Sequence, residues 1–277
     1  MAFSKFDLEG KTALITGASG LLGQEHAYAL LESGATVVLT DISIEGLKLA
    51  KEKLSKSFCN NLIITETMNV TSKENIHLVS NRLIEQNIRV DILVNNAAID
   101  PKVTKDIGLK ETSRFENFNI DEWNMQLNVG LTGAFLCSQT FGSLMSSDSL
   151  GGVILNIASD LSVFSPDQRI YRRDGIPENE QPVKPVTYSV VKTGLIGLTR
   201  YLATYWSNNG VRCNALSPGG VMNGQDDLFT EKLIDLIPLN RMANKDEYRS
   251  TVQFLCSDAS SYMNGQNIVV DGGRSVW

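Results

Sequence analysis

Histidine is almost missing from this chain. His26 and His77 are the only two in 277 residues, which excludes a histidine-rich metal site. Cysteine is scarce too: Cys59, Cys137, Cys213 and Cys256 stand alone, with neither the paired spacing of a metal knuckle nor a disulfide framework. They read as buried, reduced thiols of a cytoplasmic protein. No apolar run approaches the roughly 18 residues that span a bilayer, and Met1 to Lys11 lacks the apolar stretch of a secretory signal. Positive charge is in deficit. With 25 Lys and Arg against 31 Asp and Glu, the net charge of -6 argues against nucleic-acid partners and anionic membranes. Tandem repeats, low-complexity tracts and a domain boundary are absent as well. What remains is 42% hydrophobic and 20% charged, the balance of one globular domain with a sizeable core.

Short apolar strands alternate with helical patterns along the whole chain. Strands are expected at Lys11–Thr16, Thr36–Asp41, Asn61–Glu66, Val90–Val94, Gly152–Ile157, Arg212–Leu216 and Ile268–Val270. Helices are expected at Gln24–Glu32, Ile44–Lys56, from a capping box at Thr71–Glu74 to about Gln86, from Asn119 and Glu122 to about Met145, and from Asn244 and Glu247 to about Leu255. This order predicts an α/β fold, a doubly wound parallel sheet of about seven strands with helices on both faces. Residues 99–118 read as a surface loop, about 160–186 as a long ordered loop, and about 223–239 as a flap with a short helix from Asp226.

Between the first strand and the first helix lies Gly17-Ala18-Ser19-Gly20-Leu21-Leu22-Gly23. Glycines there let backbone approach a pyrophosphate, and the helix N-terminus offers it free N–H groups. The second strand ends in Asp41, placed to bond both ribose hydroxyls of NAD and to repel the 2′-phosphate of NADP; no basic residue follows at Ile42 or Ser43. Asn69 and Val70 fall where an adenine edge would lie, and Asn96, Ala97 and Ala98 leave room for a ribose. Further on, Tyr188 and Lys192 are i and i+4 on an apolar-faced helix, one turn apart on one side. A fixed ammonium favours the phenolate; moving a phenol from about 10 to near 7 requires roughly 4 kcal/mol, so the lysine must be close and poorly screened.

Taken in order, Thr16-Gly17 with Gly23, Asp41, Asn95-Asn96-Ala97, Asn128, Ser159, Tyr188 with Lys192, Pro218-Gly219 and Asp271-Gly272-Gly273 resemble the short-chain dehydrogenase/reductase family from about Lys11 to Gly273. The resemblance implies an oxidoreductase interconverting a secondary alcohol and a ketone, with a tetrad of Asn128, Ser159, Tyr188 and Lys192. In it Tyr188 is the general acid/base, Ser159 holds the substrate oxygen, Lys192 binds the nicotinamide ribose and lowers the tyrosine pKa, and Asn128 keeps a relay water. It also implies cofactor contacts from Gly17, Ser19, Gly20, Leu22, Gly23, Pro218, Gly219 and Val221, and assembly as a homotetramer or homodimer. An NADP-dependent ketoreductase and a non-catalytic dinucleotide-binding protein are the alternatives.

Departures from the family pattern are few. The usual middle glycine falls at Leu21, whereas this chain has Gly20; Ala98 stands for a glycine, Asn69 for an aspartate, and Asn223 for a threonine. The interval from Ser159 to Tyr188 is longer than usual. It leaves the sheet at one site residue and returns at another, so Arg169, Arg172 or Arg173 in it could recognise an anionic or sugar-like substrate.

Overall fold

The computed structural model describes residues 4–99, 113–148 and 150–277, built on a sheet of seven parallel strands. These are β1 (Thr12–Thr16), β2 (Thr36–Asp41), β3 (Ile63–Thr67), β4 (Ile92–Asn95), β5 (Gly152–Ile157), β6 (Val211–Pro218) and β7 (Asn267–Val270), in the order β3-β2-β1-β4-β5-β6-β7. Around them run α1 (Leu21–Glu32), α2 (Ile44–Leu54), α3 (Lys73–Glu85), α4 (Ile120–Leu127), α5 (Gly133–Cys137), α6 (Ser143–Ser147), α7 (Val186–Tyr205), α8 (Asp227–Ile234) and α9 (Arg249–Cys256). Successive strand residues point to opposite faces, and both faces are buried, so the strands read as continuous apolar runs. Ala13, Ile15, Val37 and Leu39 pack with Ala27, Leu30, Leu47 and Val252 of α1, α2 and α9. Leu14, Val38, Leu93 and Ile154 face the other way, onto Val79, Leu83, Phe141 and Leu202. The doubly wound Rossmann-type fold follows from that pattern. Among the described residues, no helix is long and apolar enough to cross a membrane.

Strand order reverses at β1, which pairs with β2 on one side (Ile15 opposite Leu39) and β4 on the other (Ile15 opposite Val94). Connections diverge there to opposite faces and open a crevice at the C-terminal edge.

Three local expectations are corrected. The cap of α3 is Ser72, which accepts from Asn75 N–H at 3.1 Å, while the Asn75 side chain accepts from Asn69 N–H at 2.6 Å; the cap therefore sits one residue later than Thr71 and is not a reciprocal box. Glu247 closes a turn on Asn244 N–H (2.7 Å) and pairs with Arg241 (2.6 Å), and α9 begins only at Arg249. Finally, the helix after Asn119 is not regular. A π-turn at Asn128–Thr132 joins α4 to α5, and another at Ser138–Gly142 joins α5 to α6. Glycines let this rod press on its neighbours: a Cβ on Gly130 would lie 2.6 Å from Val191 of α7, and one on Gly142 2.4 Å from Trp206. Of the cysteines, Cys137, Cys213 and Cys256 are buried, and burial raises each thiol to about 12. Cys59 is exposed, contrary to expectation, because it precedes a surface turn at Asn60–Leu62. The loop expected over residues 99–118 lies largely outside the described residues.

Candidate active site

A cleft of about 500 Å³ runs along the C-terminal edge of the sheet. One end is the glycine turn. Gly17 takes a left-handed φ of +62°, and a Cβ there would stand 2.8 Å from Ala97 Cα, so backbone from β1 and β4 meets where only hydrogen fits. Asn96 fastens this contact, its amide donating to the carbonyls of Thr16 (2.9 Å) and Gly17 (3.0 Å), and Thr16 Oγ1 accepts from the N–H groups of Asn96 and Ala97 (both 3.0 Å). Gly20 begins α1 with no side-chain cap, so no side chain competes for the helix's first N–H groups. That arrangement suits an anion.

Asp41 closes the same end. Its Oδ2 accepts from Ser19 N (3.2 Å) and Ser19 Oγ (2.6 Å), its Oδ1 from Ser43 N (3.0 Å), and the cap of α2 is Ser43 rather than Asp41. Of the expected cofactor contacts, Gly17, Ser19, Gly20, Leu22, Gly23, Asp41, Asn96, Ala98, Pro218, Gly219 and Val221 line the cleft. Three do not. Ala97 and Val70 are turned into the core, and Asn69 Oδ1 accepts from the N–H and hydroxyl of Thr71 at 3.0 and 2.8 Å.

The other end is formed where β5, α7 and the segment after β7 converge. Asn156 of β5 donates to Thr199 of α7 at 2.8 Å and accepts from Asn95 at 2.8 Å, a buried link that holds the helix on the sheet. Tyr188 and Lys192 project from α7 into the cleft with Ser159. Lys192 is buried, donates from Nζ to the Ile157 carbonyl at 2.8 Å, and lies 5.7 Å from the centre of the Tyr188 ring. Ser159 donates to Asp160 Oδ1 at 2.9 Å, and Asp160 Oδ2 accepts from Arg274 at 3.0 Å; all three are buried. Burial pushes the Asp160 carboxyl upward, and the Arg274 guanidinium pulls it back.

Asn128 does not join this group. It is exposed on the outside of the rod, and its place toward α7 is taken by Gln126 and Gly130. Both line a cavity of about 10 Å³ behind Tyr188 and Lys192, where Gln126 accepts a hydrogen bond from Thr187. Nor do the three arginines enter the cleft. Arg169 is bound to Asp167 (2.6 Å) and Arg172 to Glu178 (2.5 Å), each turned to solvent by an acid nearby in sequence, and Arg173 uses its backbone to hold Gln181. Among the described residues, the cations that line the cleft besides Lys192 are Lys184 and Arg274. Lys184 Nζ lies 3.8 Å from the centre of the Tyr188 ring.

Residues 160–186 and the flap meet above the catalytic end. Ile170 packs with Leu233, Ile237 and Met242, the Tyr171 and Phe229 rings are 5.4 Å apart, and Lys232 donates to the Arg172 carbonyl at 2.8 Å. No cluster of His, Cys, Asp and Glu suited to a metal occurs among the described residues.

Comparison with known proteins matches this geometry to one family. A family model described as short chain dehydrogenase covers residues 11–171, and one described as enoyl-(acyl carrier protein) reductase covers residues 178–275. The chain is 29% identical to D-threitol dehydrogenase of Mycolicibacterium smegmatis, over 98% of this chain and 95% of that protein. It superimposes on a gluconate 5-dehydrogenase of Burkholderia cenocepacia in complex with NADP and tartrate with a TM-score of 0.85, at 26% identity and full coverage of both chains (100%). A short chain dehydrogenase of Leptospira borgpetersenii with bound NAD+ gives 0.82 at 32% identity, over 98% of this chain and 94% of that one.

Proposed function

Because the chain belongs to the short-chain dehydrogenase family of oxidoreductases, we propose that it interconverts a secondary alcohol and a ketone, with NAD as the hydride carrier and Tyr188 as general acid/base. The observation that carries this is the pairing of Tyr188 with a buried Lys192, pinned to Ile157 at 2.8 Å, in the cleft that also holds the glycine turn. When bound, the nicotinamide supplies or accepts hydride. Tyr188 exchanges the proton of the substrate oxygen, Ser159 bonds that oxygen, and Lys192 holds the cofactor ribose and favours the phenolate. Asn128, exposed on the rod, is left out of this reading.

Asp41 supports NAD over NADP. A carboxylate at the end of β2, already bonded to the glycine turn through Ser19, suits two ribose hydroxyls and opposes a 2′-phosphate. Calorimetric titration is expected to show NADH bound tenfold or more tightly than NADPH, the scale of one hydrogen bond to a charged group. Replacing Asp41 with alanine is expected to erase most of that difference; tighter binding of NADPH by the unaltered protein would refute the assignment.

The relatives' names, a threitol and a gluconate dehydrogenase, support a small hydroxylated substrate, chosen under the roof made by Ile170, Tyr171 and Phe229. Self-association through the α4–α6 rod and α7 is assigned as well, since Met125, Phe135, Leu144, Tyr201 and Tyr205 are exposed there. Sedimentation is expected to give a dimer or tetramer, and a stable monomer at micromolar concentration would contradict it.

A further inference from the structure

The lysine nearest the Tyr188 ring is not the one supplied by the Tyr-x-x-x-Lys spacing. Lys184 Nζ stands 3.8 Å from the ring centre, whereas Lys192 Nζ is 5.7 Å away. Lys184 precedes α7, in Pro182-Val183-Lys184-Pro185, and two features hold it there. Pro185 begins the helix with φ at -56°, and the Lys184 N–H donates to Gln168 Oε1 at 2.9 Å. Proline removes backbone freedom on both sides of Val183 and Lys184, so the ammonium reaches the ring from a stiff base.

We propose that Lys184 tunes Tyr188: it is a positioning residue whose charge, lying over the ring, stabilises the phenolate and widens the pH range in which the tyrosine can take a proton from an alcohol. A neutral phenol already attracts a cation through its ring quadrupole. Ionisation adds a full negative charge, part of it delocalised into that ring, and the attraction then becomes charge–charge. The cation therefore gains more from the ionised form than from the neutral one, and the difference lowers the ionisation point.

Among the described residues, other charges near the site do not duplicate this effect. Asp160 and Arg274 also line the cleft but are joined to each other at 3.0 Å, so their fields largely cancel. Asp41 is engaged in the glycine turn at the other end. Lys192, on the same helix as Tyr188, is tied to the Ile157 carbonyl. On α4 and the first π-turn, the groups beside Tyr188 and Lys192 are Gln126 and Gly130, neither charged. Among the described residues, Lys184 and Lys192 are thus the cations that face the phenol, their Nζ atoms 3.8 and 5.7 Å from the ring centre.

The proposal rests on the reading of Tyr188 as acid/base, but its test does not require turnover. Phenolate ultraviolet absorbance is titrated for the full chain and for a matched Tyr188→Phe protein, and the difference isolates Tyr188. In Lys184→Met, which keeps the aliphatic stem, the Tyr188 ionisation is expected to rise by about one pH unit, a tenfold loss of phenolate at a fixed pH. Lys184→Arg is expected to restore most of it, with the melting temperature unchanged in both. An unmoved titration in Lys184→Met would overturn the proposal. So would a variant whose only defect is a higher KM for an anionic substrate, which would make Lys184 a substrate contact. Should Lys184→Met not fold, Lys184→Gln provides the same comparison. Loss of turnover in every protein with the titration shifted as described would fault the functional reading and leave this one standing.

Discussion

Tyr188→Phe is expected to lower kcat by roughly 10³-fold, about 4 kcal/mol of transition-state stabilisation, while leaving the affinity for NADH within a factor of about two. The substitution removes one oxygen and nothing else. Tyr188 is half-buried on the first turn of α7 with its ring against Lys184, so phenylalanine keeps the packing and loses the group that gives or takes the proton. Lys192 stays bound to Ile157 and keeps its proposed place at the ribose, so cofactor binding is expected to persist. Without the hydroxyl, Tyr188 can no longer give or take the proton of the substrate oxygen, and water would have to do so instead. Steady-state rates and a fluorescence titration with NADH read the two quantities separately. Turnover within tenfold of the unaltered enzyme would remove Tyr188 from the mechanism; equal loss of NADH binding would make it a cofactor contact instead.

The parts of the fold that depend on local chemistry were legible before any coordinates. Seven apolar strands separated by helical patterns gave the sheet, with boundaries shifted by one or two residues because strand ends follow pairing rather than composition. Gly17, Gly23 and Asp41, read from the sequence as a glycine turn and an acid at a strand end, do come together along one cleft. Tyr188 and Lys192 were legible because they share one regular helix. Asn128 comes from the family resemblance alone, and a motif match does not say which side of a helix a residue presents; the irregular rod, with a π-turn at Asn128–Thr132, leaves it exposed. Gln126 and Gly130 occupy the side toward α7, and the small cavity beside them is visible only in three dimensions.

The arginines of the long approach failed on a different ground. Charge was read without its local partners, and Asp167 and Glu178 had already claimed Arg169 and Arg172. Asp167 lies two residues from its arginine, so that pairing could have been suspected. Nothing in the sequence pointed to Arg274, which meets Asp160 across 114 positions. Lys184 left one faint sign, a cation four residues before Tyr188 as Lys192 is four after. Since α7 starts only at Val186, helical spacing could not have justified reading it.

His26 gives the largest expected effect on stability. The ring sits wholly buried on α1, and among the described residues neither nitrogen has a hydrogen-bond partner. Burial, with a smaller contribution from the charge on Lys192, lowers its pKa from 6.5 to about 4. In the unfolded chain the ring takes up a proton near 6.5, in the folded protein only near 4. Between those values the unfolded state binds more protons, so stability is complete above about 6.5 and declines as pH falls. By pH 5 the loss is about 2 kcal/mol from this residue, and it approaches about 3 kcal/mol near pH 4. His26→Leu removes the titration and the two unsatisfied nitrogens together. It is expected to match or exceed the unaltered protein by about 1 kcal/mol at pH 7.5, and to lose about 2 kcal/mol less between pH 7.5 and 5. Urea denaturation at the two pH values measures both, and parallel losses in the two proteins would place the acid sensitivity elsewhere. The same residue bears on the chemistry. Kept neutral, His26 adds no further positive charge near Lys192 through the neutral range. Protonated, it would repel Lys192, the residue proposed to hold the cofactor ribose, so the acid limit of folding and that of the proposed site meet at one buried ring.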